Sequence, residues 1–403
     1  MTYTLLNIVF LGLVALVAVV AVVVRRAPHW RAVGLAAILL LILTAVFDNV
    51  IIGTGLVAYD DALISGVCIG VAPIEDFAYT VAASRASAGR VGAPSAKGKR
   101  DPHCRQRHPG EGWALMSTLA QLTLSSRPLS WINTAFPFAA AYLLTAREID
   151  LTLIVGTLYF LIPYNLAMYG INDVFDYESD LRNPRKGGVE GALLDPSIHR
   201  TTLVAALVTN VPFLVYLVIV GDPLSWLVLA ISVFAVIAYS MKGLRFKERP
   251  FLDSLTSSTH FVSPAVYGLV LADAVFTPAL WLILGSFFLW GIASHAFGAV
   301  QDVLADREGG LSSIATIIGA RATTRLAVVV YLASGLLLLG TEWPGPLAAI
   351  AAVPYVVSAA QWWRVTDETA EDANRGWKRF LLLNFVAGAI VTMLMIGWTL
   401  TTP

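Results

Sequence analysis

The chain carries twelve apolar runs, each of about 20 residues, the length an α-helix needs to cross the hydrocarbon core of a bilayer. Three fall near 4–24, 32–52 and 63–83. Nine follow near 129–146, 151–171, 201–221, 223–241, 254–272, 278–299, 322–340, 345–363 and 379–399. Inside a bilayer every backbone polar group needs a partner within the protein, so such runs are expected to be helices. Pro163, Pro212 and Pro264 lie within runs and are tolerable where neighbouring helices satisfy the freed groups. Only 13% of residues are charged and mean hydropathy is +0.72, whereas a soluble domain has about 25% charged residues. The expectation is an all-α polytopic membrane protein. Residues 4–24 have no positive leading segment and no A-x-A-like cleavage site before a soluble domain, so they read as a retained helix. Cys68 lies in an apolar run and Cys104 in a basic loop, which implies no disulfide framework.

A polar stretch from Ser84 to Gly112 divides the runs into three and nine. It carries Arg85, Arg90, Lys97, Lys99, Arg100, Arg105 and Arg107 against Asp101 and Glu111. This is the composition of a linker, so the expected domains are 1–83, a linker at 84–112, and 113–403. No aromatics interleave the basic run, so nucleic acid is not an expected partner. Net charge is zero, and the distribution of charge is what orients the chain. Arg25, Arg26 and Arg31 place the first loop in the cytoplasm, by the positive-inside bias. The linker follows on the same side, so the N-terminus is expected outside. Counting onward puts the loops at 172–200, 242–253, 300–321 and 364–378 in the cytoplasm, and these hold most of the remaining Lys and Arg. A multi-pass protein of the plasma membrane is expected. The acidic run from Asp367-Glu368 to Asp372 reads as a solvated loop face.

Two acidic clusters stand where apolar runs end. The first is Asn172-Asp173-Val174-Phe175-Asp176-Tyr177-Glu178-Ser179-Asp180, and the second runs from Gln301-Asp302 through Asp306 to Glu308. Asp173, Asp176 and Asp180 share one helix face by their i, i+3, i+7 spacing, as Asp302 and Asp306 do at i, i+4. Carboxylates near a bilayer are costly and mark function. Paired carboxylates suit Mg²⁺, a hard cation that takes phosphate oxygens as further ligands. Between the clusters lie Lys242, Arg245 and Lys247, and Arg127 precedes them. These cations can grip diphosphate oxygens that a metal leaves free. Intramembrane acids also serve transporters, but those tend to sit in mid-span. Asn133 and Asn165 read as inter-helix bonds, with substrate contact the alternative for each. His260 and His295 read as bases or as histidines satisfied within the bundle.

The motif N-D-x-x-D-x-x-x-D at Asn172–Asp180 resembles the UbiA-type intramembrane prenyltransferases, as do Tyr239-Ser240, Arg245-Phe246-Lys247 and Phe251-Leu252-Asp253. The second motif departs from the family's D-x-x-x-D-x-x-x-D, because Gly310 holds its third position. The stretch from His295 to Asp302, with Asp306-Arg307-Glu308 and Ser312–Thr316, is similar to the lycopene elongase branch of C50 carotenoid synthesis. That resemblance covers roughly 125–400 and implies a nine-helix bundle. It implies Mg²⁺ held by Asp173, Asp176, Asp180, Asp302 and Asp306, and diphosphate held by Arg127, Lys242, Arg245 and Lys247. It implies substrate contacts at Asn133, Tyr169, Asn172 and His295, and a catalytic Tyr239. Dimethylallyl diphosphate is the implied donor and lycopene the acceptor. The departing diphosphate is stabilised by metal and bases. The implied allylic cation needs aromatic faces around it, for which Tyr169, Phe175, Tyr239, Trp290 and Phe297 are candidates, with packing the alternative for Trp290 and Phe297. Loss of a proton or addition of water ends the reaction.

The first group of runs has its own anomalies. Asp48-Asn49 lies inside a span, Asp60-Asp61 lies in a loop, and Pro73-Ile74-Glu75-Asp76 interrupts the third run. Burial disfavours a charged carboxylate, so one of Asp48, Glu75 and Asp76 can hold a proton and donate it to an alkene. The Pro-x-Glu-Asp pattern resembles small-subunit lycopene cyclase domains, which implies a three-helix unit with Asp48, Glu75 and Asp76 catalytic. Active forms in that family combine two such units, so a second small cyclase subunit is an expected partner, besides the elongated carotenoid and the lipid bilayer. The runner-up expectations are a prenyltransferase acting on an aromatic quinone or haem precursor, and a transporter or membrane scaffold.

Overall fold

The computed structural model describes residues 30–53, 58–60, 63–78, 117–181 and 193–401, together with Thr4, Asn7, Ile8 and Leu11. The chain divides into two units, Met1–Arg105 and Gln106–Pro403. The expected linker at 84–112, most of the run at 4–24, and Asp61 lie outside the described residues.

In the first unit, α1 (Trp30–Gly53) is the expected second span. The third run departs from a helix in its described part. Strands β1 (Cys68–Ile69) and β2 (Ala72–Pro73) pair antiparallel, and a 3₁₀ turn follows at Ile74–Asp76. The reason is local. Gly66 and Gly70 adopt φ of 80° and 69°, a left-handed conformation that glycine takes without a Cβ penalty. Pro73 then closes the hairpin with an extended backbone.

The second unit is a helical bundle, with a helix at each of the nine expected runs. After a short α2 (Thr118–Ser125) come α3 (Ile132–Ala146), α4 (Leu151–Leu161), α5 (Pro163–Phe175), α6 (Tyr177–Asp180), α7 (His199–Val220), α8 (Pro223–Ser240), α9 (Leu252–Leu271) and α10 (Pro278–Val300). Then follow α11 (Val303–Glu308), α12 (Ile314–Ile318), α13 (Ala320–Leu338), a 3₁₀ segment (Gly345–Ala352) leading into α14 (Val353–Ala360), and α15 (Asn374–Thr401). Among the described residues six helical segments are long and apolar enough to cross a membrane, and the chain is a multi-pass membrane protein. Apolar side chains such as Leu207, Ile219, Trp281 and Leu336 face outward, as lipid contact requires.

Helix α9 is the polar exception, with Ser258, His260 and Ser263 buried along it. It packs against α3, α8 and α10, so its polar groups meet helices rather than lipid. Ser263 donates to Ser232 Oγ at 2.8 Å, and Ser232 donates to the Tyr164 hydroxyl at 3.1 Å. Close approach to α3 requires Gly268, where a Cβ would sit 2.8 Å from the Phe138 carbonyl oxygen. Pro163 breaks α4 from α5, and asparagines repair the break. Asn165 Nδ2 donates to Phe160 O at 2.8 Å and to Thr134 Oγ1 at 2.7 Å, and Asn210 Nδ2 donates to Pro163 O at 2.8 Å. Asn165 thus makes the expected inter-helix bond, whereas Asn133 lies half-buried at the start of α3.

Candidate active site

The ends of α2, α5, α8, α9 and α10 carry the polar side chains that sequence spacing singles out. The turn after α2 brings in the first cation. Arg127 adopts φ 52° before Pro128, at a position where proline disfavours the helical region. Its guanidinium lies over the Tyr169 ring, 4.4 Å from the centroid, and its Nη2 donates to Asp173 Oδ1 at 2.9 Å. Ser125 Oγ donates to Asp173 Oδ2, also at 2.9 Å. Asp173 is 1% exposed, so this pairing compensates a charge that burial alone makes costly. The Arg127 Nε is buried and has no hydrogen-bond partner among the described residues.

One helical turn on, Asp176 pairs with Lys247 Nζ, and Arg245 Nη2 stands 3.6 Å from it. The loop after α8 makes this reach by turning sharply, with Gly243 at φ 96° and Arg245 at φ 41°. Arg245 also pairs with Glu248 and donates to Phe175 O at 3.4 Å. Asp180 is buried and Lys242 is exposed. Asn172 Oδ1 accepts from Ser240 Oγ at 2.9 Å. The neighbouring Tyr239 hydroxyl meets His295 Nε2 at 2.9 Å, and His295 Nδ1 meets Ser254 Oγ at 3.1 Å.

The second cluster lies at the end of α10. Asp302 immediately precedes α11, Asp306 lies within it, and both are half-buried. Gly310 has φ 68° and its N–H donates to Arg307 O at 3.1 Å. The position where the family pattern has a third acid is therefore the left-handed turn that ends α11, a conformation an aspartate takes at a cost. Asp253 anchors this loop: its Oδ1 accepts from Ser254 N at 2.6 Å and its Oδ2 from Ile314 N at 2.7 Å. The acidic run at 367–372 is more than a solvated face. Asp367 Oδ1 accepts from Ala320 N at 2.7 Å, and Oδ2 pairs with Arg307 Nη1 at 2.6 Å. The backbone bond, with Arg307 added, holds the Asp367 carboxyl below its ordinary range. Its contribution to stability is present above the unfolded-state value and fades as pH falls through the folded one.

Of the expected aromatic wall, Tyr169 and Tyr239 stand at the acid–cation cluster. Trp290 instead packs against Phe380, with centroids 5.8 Å apart, and against Tyr355 at 5.7 Å. Phe297 is buried in the same cluster. These two pack the bundle.

Among the described residues no three His, Cys, Asp or Glu side chains converge to hold a metal ion. The donor chemistry still fits Mg²⁺, which is usually bound by one or two carboxylates plus substrate phosphates rather than by an all-protein cage. Asp173 and Asp176 supply such oxygens beside Arg127 and Lys247.

In the first unit, Glu75 Oε1 accepts from Thr4 Oγ1 and from Ser65 N, each at 2.7 Å, while Asn7 Nδ2 donates to Glu75 O at 2.7 Å. Glu75 Oε2 is buried with no partner among the described residues. The Tyr59 hydroxyl donates to Asp76 Oδ1 at 2.8 Å. Asp48 lies half-buried on α1, within electrostatic reach of Asp76. Thr4 and Asn7 were not singled out from sequence, although two polar residues three apart in an apolar run are the signal that marks them. Asn49 clamps the hairpin: Nδ2 donates to Ile69 O and Oδ1 accepts from Val71 N, both at 2.7 Å. Asn49→Ala removes both bonds and should cost about 1–3 kcal/mol. The expected result is faster proteolysis near residues 68–73 in membranes, with the second unit unaffected.

Fold and site define a class: a polytopic helical bundle whose helix ends gather buried acids, cations and a tyrosine–histidine pair. Residues 134–386 match the UbiA prenyltransferase family, and residues 1–88 match the Lycopene cyclase family. The chain is 52% identical, over 98% of both sequences, to a C(50) beta-cyclic carotenoids biosynthesis protein, LbtBC, of Dietzia sp.. It is 57% identical to a Lycopene elongase/hydratase of Corynebacterium glutamicum, covering 70% of this chain and 99% of that one. The fold is similar to that of a UbiA homolog from Archaeoglobus fulgidus bound to DMAPP and Mg2+, with a TM-score of 0.51 at 17% identity over 67% of this chain and 99% of that one. The chain belongs to the UbiA prenyltransferase family.

Proposed function

We propose that this protein works in carotenoid biosynthesis, transferring dimethylallyl groups from dimethylallyl diphosphate to the ends of lycopene. The observation that carries the reading is the buried Asp173–Asp176 pair framed by Arg127 and Lys247, in a chain similar over nearly its whole length to a C50 carotenoid protein. Asp173, Asp176 and Asp180, with Asp302 and Asp306, are the carboxylates that would supply oxygens to Mg²⁺. Mg²⁺ bound there would supply positive charge to offset that of the leaving diphosphate. Arg127, whose Nε has no partner among the described residues, and Arg245, Lys247 and the exposed Lys242 bind the remaining oxygens. Tyr169 and Tyr239 face the allylic cation, and Asn133 and Asn172 orient the substrates. The distribution of Lys and Arg supports a plasma-membrane protein with these loops in the cytoplasm and the N-terminus outside.

Residues 1–83 form one half of a carotenoid cyclase that works with a separate small subunit, joined through 84–112 to the prenyltransferase at 113–403. Asp48, Glu75 and Asp76 are its reacting groups. Joining the two activities presents an insoluble polyene to the second site at high effective concentration.

The test is expression of the full chain in a host that accumulates lycopene. Pigments heavier by one and two C5 units are expected, and cyclised forms should appear only when a partner cyclase subunit is added. Unchanged lycopene with the chain present in the membrane would overturn the assignment.

A further inference from the structure

We propose that Tyr239 and His295 form a proton acceptor that ends C5 transfer by elimination, with Tyr239 touching the alkylated polyene and His295 storing the proton; this rests on the C5-transfer reading above. The residues form one hydrogen-bonded chain. Tyr239 Oη meets His295 Nε2 at 2.9 Å, and His295 Nδ1 meets Ser254 Oγ at 3.1 Å. With the tyrosine donating, the ring holds its proton on Nδ1 and offers a lone pair at Nε2. Asp253 fixes the far end of the chain by accepting from Ser254 N and Ile314 N.

The chain's location supports the role. Tyr239 is within electrostatic reach of Arg127, Tyr169 and Asp176, and its neighbour Ser240 bonds Asn172. It therefore stands beside the diphosphate cluster. A second imidazole lies edge-on to the same phenol: His260, 5.2 Å between centroids, is 3% exposed, and its Nε2 has no hydrogen-bond partner among the described residues. A phenol between two imidazoles, one bonded to it, is a poor choice for packing alone.

The step balances as follows. The dimethylallyl C1 bonds to the terminal alkene of lycopene as diphosphate leaves, and a tertiary cation remains on the polyene. A C–H bond next to that cation breaks, and its electron pair becomes the new C=C. The proton passes to Tyr239 Oη as the tyrosine's own proton moves to His295 Nε2. The imidazolium returns it to solvent after release of the product. By taking the phenol's own proton, the histidine spares Tyr239 a positive charge as it accepts the proton from carbon.

The test uses membranes holding the full chain, with Mg²⁺, dimethylallyl diphosphate and lycopene. Diphosphate release is measured alongside the masses of eliminated (plus C5H8) and hydrated (plus C5H8 and H2O) products. In His295→Gly and Tyr239→Phe the eliminated product formed per diphosphate released should fall by about 10²-fold or more, whatever the change in the rate of release. Added imidazole should restore elimination in His295→Gly alone. Ser254→Ala, which leaves the ring in place, should lower the eliminated fraction only a few-fold. Parallel loss of diphosphate release and of both products, with no rescue, overturns the proposal. So does an unaltered chain whose products are all hydrated. An unaltered chain that adds no C5 unit overturns the underlying reading as well.

Discussion

Asp173→Asn should reduce C5 transfer by at least about 10²–10³-fold, the scale of removing one preorganised group that stabilises transition-state charge. Asp173 is the most enclosed acid of the first cluster, bonded to Arg127 and Ser125, so the change removes its charge from the proposed metal–diphosphate site and breaks its ion pair with the arginine. The change also leaves a buried guanidinium without its counter-charge, which costs about 3–5 kcal/mol when a buried pair is broken. Activity must therefore be compared at equal amounts of membrane-inserted, monodisperse protein. Asp176→Asn, whose neighbour Arg245 keeps Glu248 as a counter-charge, should lose comparable activity with less damage to the fold. Full transfer by either variant would remove the metal–diphosphate assignment.

Glu75→Gln should stop cyclisation, by about 10²–10⁴-fold for a lost acid–base group, while elongation continues at the unaltered rate. The substitution is isosteric, and the amide oxygen can still accept from Thr4 and Ser65, which hold Oε1. Only the chemistry of Oε2, which has no partner among the described residues, changes. The assay is co-expression with a partner cyclase subunit, reading cyclic and acyclic C50 pigments separately. Loss of both activities together would make Glu75 a structural residue of the membrane chain.

Most helices were legible because hydropathy is a local property. A run long enough to span the bilayer has one way to satisfy its backbone, whatever it packs against. The third run misled for an equally local reason: its mean hydropathy hid Gly66, Gly70 and Pro73, which turn the chain into a hairpin. Gly310 read as a missing acid, and it is a turn that only the left-handed φ explains. Asp367 read as solvated because its partners, Ala320 and Arg307, lie 47 and 60 residues away.

The sequence by itself determined the membrane class, the helix positions, and the acids that share a face at the end of α5, since helical periodicity puts Asp173, Asp176 and Asp180 together. Tertiary structure alone decided their partners. Arg127 meets Asp173 across 46 residues, and Tyr239 meets His295 across 56. Spacing encodes which side chains share a helix face. Which helix ends converge depends on packing across the bundle, through contacts such as Gly268 against Phe138, that no local pattern records.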